Sequence, residues 1–372
     1  MKNFERRGFS ESLDQVIASV ARAYGFTSTP TTIPKKHIAD ATSGTEENTI
    51  LITTLAGSVG DETMNVQSWG VLKSKGASRA VFTITNPKHS IAQAFVVKAS
   101  LATAEASGFS DCKVLLSSVG DEESRRRYVR EMGNFFKKNA KAISDEFGEL
   151  DIHNNPDEAV HTISESASPL KESLPRTIDF LSEPSRKVML ETISLLESLN
   201  IPYELNPRLS YIPGVNRELV FGIEGSDKKG NRHLIASGGR FETEKKTKDN
   251  KKHEPNIIGI AVNIPEPIDA RDMSTRELPT CFVVHVGEAA KLKAFTLLDS
   301  LWRAQIALSQ AILMESIQNQ MELAQQSGAK YITIVGQREA LDGTAILKNV
   351  STQFQETMTT DKLVSRLAKA RA

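Results

Sequence analysis

SIQNQMELAQQSGAKYITIVGQREALDGTAILKNVSTQFQETMTTDKLVSRL, residues 316–367, is the stretch whose pattern decides the fold of the C-terminal part of the chain. Ile317, Met321 and Ala324 recur at i, i+4 and i+7, so residues 315–327 are expected to form a helix with one apolar face. Gly328 stands where such a helix ends in the left-handed conformation. Tyr331-Ile-Thr-Ile-Val335 is β-branched and almost continuously apolar, as suits a strand covered on both faces. Asp342-Gly343 carries the signature of a hairpin turn into a second strand, residues 344–350. Thr360, followed by Asp361 in the first turn, opens a last helix that turns Leu363, Val364 and Leu367 inward. Working outward, Cys281-Phe-Val-Val-His-Val286 adds a strand and residues 289–303 another helix.

Composition bounds the rest. At 372 residues the chain has room for two or three domains. Its 46 basic and 46 acidic residues cancel, which excludes a strong overall field toward nucleic acid and leaves only local basic faces. Cys112 and Cys281 form no spacing motif and fit a reducing compartment. No run reaches the length of a membrane span, and the start of the chain has no apolar core of a leader. A cytoplasmic protein with no membrane partner is expected.

Taken in order, residues 7–24 predict a helix with Leu13, Val16, Ile17, Val20 and Ala21 on one stripe and Ser10 or Ser12 as cap. It runs into Tyr24-Gly-Phe-Thr-Ser-Thr-Pro30. Residues 37–65 are polar apart from Ile50-Leu-Ile52, which suggests loop and one strand. Residues 69–84 predict two strands about a Lys/Gly/Ser turn. An amphipathic helix over 92–108 and a strand over 113–117 follow. Ser58-Val-Gly-Asp-Glu62 recurs as Ser118-Val-Gly-Asp-Glu122, expected of two strand-to-turn junctions rather than of a true repeat. From 122 to 200 the chain is helical, divided by Pro156, Pro169, Pro175 and Pro184. Arg125-Arg-Arg127 is flanked by Glu122, Glu123 and Glu131 and reads as a solvated helix face. Residues 243–254 are a charge run expected to be a surface loop.

Several of these segments together resemble histidyl-tRNA synthetase, of the class II aminoacyl-tRNA synthetase family. The C-terminal segment matches the anticodon-binding domain through Gln320, Ala324, Gly328, Ala329, Tyr331, Gly336, Glu339, Gly343, Lys348, Val350, Thr352, Gln355 and Asp361. The helix leading to Tyr24-Gly-Phe26 resembles motif 1, which in the family forms a dimer interface. Residues 69–84 resemble a reduced motif 2, placing Lys73 at the arginine that contacts the ATP α-phosphate and Arg79 on the following strand. A long stretch of the family's sequence is missing ahead of it. Leu234-Ile-Ala-Ser-Gly-Gly-Arg-Phe-Glu242 resembles the opening of motif 3 through Gly238, Gly239 and Arg240, and 257–264 its next element.

The resemblance implies an α+β fold: a class II synthetase-like antiparallel sheet with helices over 1–118 and 201–272, a helical insertion over 119–200, and an anticodon-binding-like α/β domain over 279–372. It also exposes losses. Anchored on Val220-Phe221, the family's histidine motif places Tyr211 at the catalytic arginine, and Val215 and Asn216 at the tyrosines that hold the histidine ring. A neutral phenol does not replace a guanidinium fork at a developing phosphate charge. Pro265-Glu266 stand where the family has the arginine over the γ-phosphate. Lys73 leaves one positive charge for ATP.

The expectation is a homodimeric paralogue that does not aminoacylate, with no catalytic residue assigned, and that serves as an RNA-binding or regulatory protein. Tyr211, Lys73, Arg79, Gly238, Gly239 and Arg240 line what remains of a substrate site. Arg303, Arg338 and Lys348 are the candidate contacts to tRNA or another RNA. Two alternatives stay open: a divergent active histidine–tRNA ligase, and a regulatory subunit of ATP phosphoribosyltransferase, which commonly lacks the anticodon domain. No metal is expected, since the histidines are scattered and no ligand spacing or phosphate-loop motif occurs.

Overall fold

A computed structural model describes residues 13–29, 44–58, 66–74, 77–87, 89–148, 150, 156–209, 211–212, 215–242, 245–246, 252–253, 256–265 and 278–370. Two mixed sheets organise it. The larger has eight strands: β1 (Thr27–Ser28), β2 (Val66–Ser74), β3 (Ala77–Thr85), β4 (Ser110–Gly120), β5 (Tyr203–Leu205), β6 (Asn216–Ser226), β7 (Arg232–Glu242) and β10 (Asn256–Ile264). Lys245–Lys246 and Lys252–His253 pair apart as β8 and β9. The spatial order is β1-β2-β3-β10-β7-β6-β4-β5. Only the outermost pairs, β1 with β2 and β5 with β4, run parallel.

Each face of this sheet is covered. Side chains alternate along a strand, so β3 and β10 send Phe82, Ile84, Ile258, Ile260 and Val262 to one side and Val81, Ile257 and Ala261 to the other. Against the first side lies α3 (Ile91–Ala106), in chain order after α1 (Leu13–Ala23) and α2 (Gly44–Gly57). An amphipathic α3 was expected; instead Gln93, Lys98, Ser100 and Thr103 are buried with its apolar residues, because α1 and the C-terminal unit close over its outer side. Phe95 meets both Tyr24 and Phe295 there edge to face, Phe95 and Phe295 with ring centroids 4.5 Å apart.

Against the second side lies α2, where loop and one strand were expected. Its β-branched run, Thr49-Ile-Leu-Ile-Thr-Thr, favours a strand locally. Leu51, Ile52, Leu55 and Ala56, however, fall at i, i+1, i+4 and i+5, and burying that stripe on the sheet decides for the helix. At about 25 cal/mol per Å² of apolar surface, such burial outweighs propensity differences of a few tenths of a kcal/mol per residue. Ser58 therefore ends a helix, not a strand, and the rest of that Ser-Val-Gly-Asp-Glu copy lies outside the described residues. In the second copy Gly120 is left-handed (φ 66°) and Asp121 caps the next helix, accepting from Ser124 N at 2.8 Å.

The insertion comprises α4 (Glu122–Phe147), α5 (Pro156–Glu165) and α6 (Leu170–Ser173), then a 3-10 turn (Thr177–Phe180) and α7 (Glu183–Ser198). It has a core of its own around Tyr128, Met132, Phe135, Phe136 and Ile163. Three of the four dividing prolines stand at helix starts: Pro156 opens α5, Pro169 precedes α6, and Pro184 lies in the first turn of α7, behind Ser182.

The C-terminal unit carries β11 (Cys281–His285), α8 (Glu288–Arg303), β12 (Leu308–Gln310), α9 (Ile317–Gln326), β13 (Tyr331–Val335), α10 (Gln337–Asp342), β14 (Thr344–Asn349), β15 (Gln355–Thr359) and α11 (Thr360–Ala370). Its five strands run β12-β11-β13-β14-β15. The expected α9, β13 and α11 are present with Leu363 and Leu367 fully buried. Asp342-Gly343 is not a hairpin turn. Residues 337–342 form α10, its start held by Glu339 accepting from Gly336 N at 3.1 Å, and Gly343 (φ 66°) is the left-handed residue that ends it.

Candidate functional site

Of the residues singled out in sequence, Arg79, Gly238, Gly239 and Arg240 lie along β3 and β7 and are engaged with neighbouring elements, whereas Tyr211 and Asn216 stand at the approach to β6. Arg79, on β3, is turned toward α2, and its Nη2 donates to Glu47 Oε2 at 2.8 Å in a largely buried pair. One residue on, Asn48 Nδ2 donates to Ser237 Oγ of β7 at 2.7 Å. Two polar side chains at the start of α2 thus fix it across the sheet. Lys73 is on β2, its backbone opposite Ser78.

The glycines serve the sheet itself. A β-carbon on Gly238 would lie 2.0 Å from Gly259 O, and one on Gly239 2.5 Å from Leu219 O. A β-carbon on Gly259 would lie 2.4 Å from Ile52 Cγ2. The close approach these glycines permit is made by β10, β6 and α2.

Arg240 lies at the end of β7, its Nε donating to Asn256 Oδ1 at 2.7 Å. Burial holds its guanidinium below the usual range, against the pull of Glu218 and Glu242. Glu218, which the sequence did not single out, has a left-handed backbone (φ 55°) and accepts from Ser185 Oγ at 3.1 Å. Burial pushes its carboxyl up, and the nearby Asp121 adds to that. Glu47, Asn48 and Glu218 carried no motif; the acidic first turn of α2 was the one signal for Glu47.

Tyr211 packs beside Leu115, Leu209 and Val220. Asn216 is buried and accepts from Ile212 N at 2.7 Å, a loop-holding bond. Both open on a cavity between the end of the sheet and α4.

The three candidate RNA contacts do not form one patch. Arg303 Nε donates to Asp299 Oδ2 at 3.0 Å, and Asp299 in turn holds Lys98 Nζ at 3.1 Å and accepts from Tyr24 Oη at 3.2 Å, so Arg303 belongs to the joint between the two units. Arg338 is 89% exposed on α10, 3.5 Å from Asp342. Lys348 points to the sheet face that Ile332 and Ile346 share, opposite to Ala345 and Leu347. There α9 covers Phe282, Val284 and Ile332, while Gln355 and Thr357 of β15 remain exposed.

His89, Glu288 and Glu315 lie close enough to ligate one ion. The space among them is served by Lys291, whose Nζ donates to Glu288 Oε1 and Glu315 Oε1 at 2.8 Å each. His89 Nε2 is 2.7 Å from Glu315 Oε1. The cluster is a second ionic joint between the two units. Both cysteines are free and buried, and burial pushes each thiol up to about 12.

These features define an α+β protein with a large mixed sheet closed by its own helix and a C-terminal α/β unit. The model of the anticodon binding domain matches residues 280–370. The chain is histidyl-tRNA synthetase-like. It is 28% identical over 269 residues to the histidine–tRNA ligase of Solibacter usitatus, covering 71% of this chain and 63% of that protein. To the histidine–tRNA ligase of Staphylococcus saprophyticus it is 26% identical over 273 residues, covering 70% and 63%. The matched part thus spans less than two thirds of these relatives' length. Among solved structures, apo histidyl-tRNA synthetase of S. aureus aligns with TM-score 0.47 and 18% identity over 99% of this chain and 100% of that one. Among the described residues no helix is long and apolar enough to cross a membrane.

Proposed function

We propose that this protein does not aminoacylate and works as a cytoplasmic RNA-binding or regulatory protein, with RNA carried by its C-terminal domain. The observation that carries the reading is the position of α2. Ile52 lies over Gly259 and Glu47 takes Arg79, so the motif-bearing side chains on that sheet face are engaged with the chain itself. The substitutions at Tyr211 and Pro265 point the same way. Charge-assisted hydrogen bonds are worth about 1.5–3 kcal/mol each, so two absent arginines remove about 3–6 kcal/mol of transition-state stabilisation.

For RNA, the strip of β14 and β15 around Lys348, Gln355 and Thr357 is the open part of the C-terminal sheet. The domain carries ten Lys/Arg against eight Asp/Glu over residues 279–372. Few phosphates are neutralised by such a surface, so binding is weak and strongly salt-dependent. Filter binding at low salt is expected to prefer tRNA over unrelated RNA, with Lys348→Glu reducing affinity severalfold; equal retention of both RNAs contradicts the reading.

The pairing surface of a homodimer is assigned to the outer edge of β1. The apolar stripe of α1 is already buried against α3 and α8, whereas Thr27 and Ser28 are exposed. Edge strands offer unpaired backbone groups to a two-fold copy. Light scattering at micromolar concentration is expected to give a dimer, and a monomer throughout contradicts this assignment.

A further inference from the structure

We propose that the cavity between α4 and the end of the large sheet is a binding site for a small amphipathic anion: an aliphatic or aromatic body ended by a carboxylate or a phosphate. The cavity measures about 530 Å³, within the roughly 300–1,000 Å³ range of small-molecule pockets. One continuous face of α4 forms its wall, with Tyr128, Met132 and Phe136 in the middle and Arg125 and Lys137 toward the two ends. Arg217 and Tyr211 close it from the sheet side.

Its charge is one-sided: among the described residues no acidic side chain lines it. Arg217 is offset by Glu242, whose carboxylate lies 3.1 Å from its Nε. Arg125 and Lys137 make no ion pair among the described residues. Cationic side chains held over an apolar wall without a carboxylate suit an anion whose body is apolar.

A second, independent observation is Gly133. It interrupts the middle of α4 at a position where glycine costs about 1 kcal/mol relative to alanine. Neither a left-handed backbone nor close packing requires it: its φ is not positive, and a β-carbon placed there meets nothing within 4 Å. The missing side chain leaves space, and the space belongs to the cavity. Val129, 51% exposed at the rim, extends the apolar wall outward.

The site lies between the helical insertion and the large sheet and is independent of the RNA reading, which concerns the C-terminal sheet. The test uses the full chain with 1-anilinonaphthalene-8-sulfonate as probe, followed by fluorescence, and decanoate or decyl phosphate as competitor. Saturable one-to-one binding is expected, displaced by either anion and not by decanol or decyltrimethylammonium. Arg125→Gln is expected to weaken it about ten- to hundredfold, the worth of one charge-assisted hydrogen bond. Gly133→Leu fills the cavity with a better helix former, so binding is expected to vanish while the melting temperature holds or rises. Undiminished probe binding in Gly133→Leu, displacement by the uncharged or cationic competitor as readily as by decanoate, or no saturable binding overturns the proposal. Preference for decyl phosphate over decanoate, or the reverse, tells which head group the site takes.

Discussion

The two sheets of this molecule treat their second faces differently. The eight-stranded sheet has α3 on one side and α2 on the other, and the glycines of β7 and β10 are consumed by close contact between strands and by Ile52. The five-stranded sheet buries Val283, Ala345 and Leu347 on one side, and on the other leaves β14 and β15 partly uncovered around Lys348. A motif persists in both, but its meaning follows from what lies over it. Where the chain covers its own sheet, the glycines specify packing; where it does not, polar side chains remain available to a partner.

Gly238→Val breaks the first half of the comparison most severely. Its β-carbon meets backbone, Gly259 O at 2.0 Å, which cannot rotate away. A loss above about 4 kcal/mol is expected from urea unfolding; a folded variant of near-normal stability means that the strands have room for a ligand after all.

Asp299→Ala strikes the joint between the units. It leaves the buried Lys98 ammonium without its partner, and about 3–5 kcal/mol is expected to be lost. Burial works to raise the Asp299 carboxyl, but Lys98 and Arg303 outweigh it and hold it below the ordinary value. A lowered folded-state value means stability present above the unfolded carboxylate value, near pH 4, and lost as pH falls below it. Acid titration of the native chain is therefore expected to weaken this joint, and Asp299→Ala to flatten that part of the curve.

Ile52→Ala removes the side chain over Gly259, and about 3 kcal/mol is expected from the cavity it leaves. ATP binding is not expected to appear. A variant that gains it shows that α2 masks a nucleotide site, and sharpens the comparison into one between a closed site and an open one.

Much of this was legible from residues alone. The period of Ile317, Met321 and Ala324 and the run Tyr331–Val335 each report a single strong burial pattern, and both elements stand where that pattern puts them. β2 and β3 were likewise legible around their polar turn. α2 was not, because its Thr-Ile-Leu-Ile run prefers a strand locally and only the sheet beneath it makes it a helix. β15, Gln-Glu-Thr-Met-Thr, has no apolar period to announce it and is held by pairing with β14. At the candidate site, Gly238, Gly239 and Arg79 were identifiable as residue types, but what they touch depends on α2 and β10, which are distant in sequence.

Histidine-dependent ATP–pyrophosphate exchange on the purified full chain tests the central claim most directly. A deficit of about 3–6 kcal/mol corresponds to a rate lower by two to four orders of magnitude, so exchange at or near background is predicted. Exchange within tenfold of an ordinary histidyl-tRNA synthetase contradicts it, and shows that residues other than those aligned over 209–224 carry the phosphate charge and that α2 moves aside.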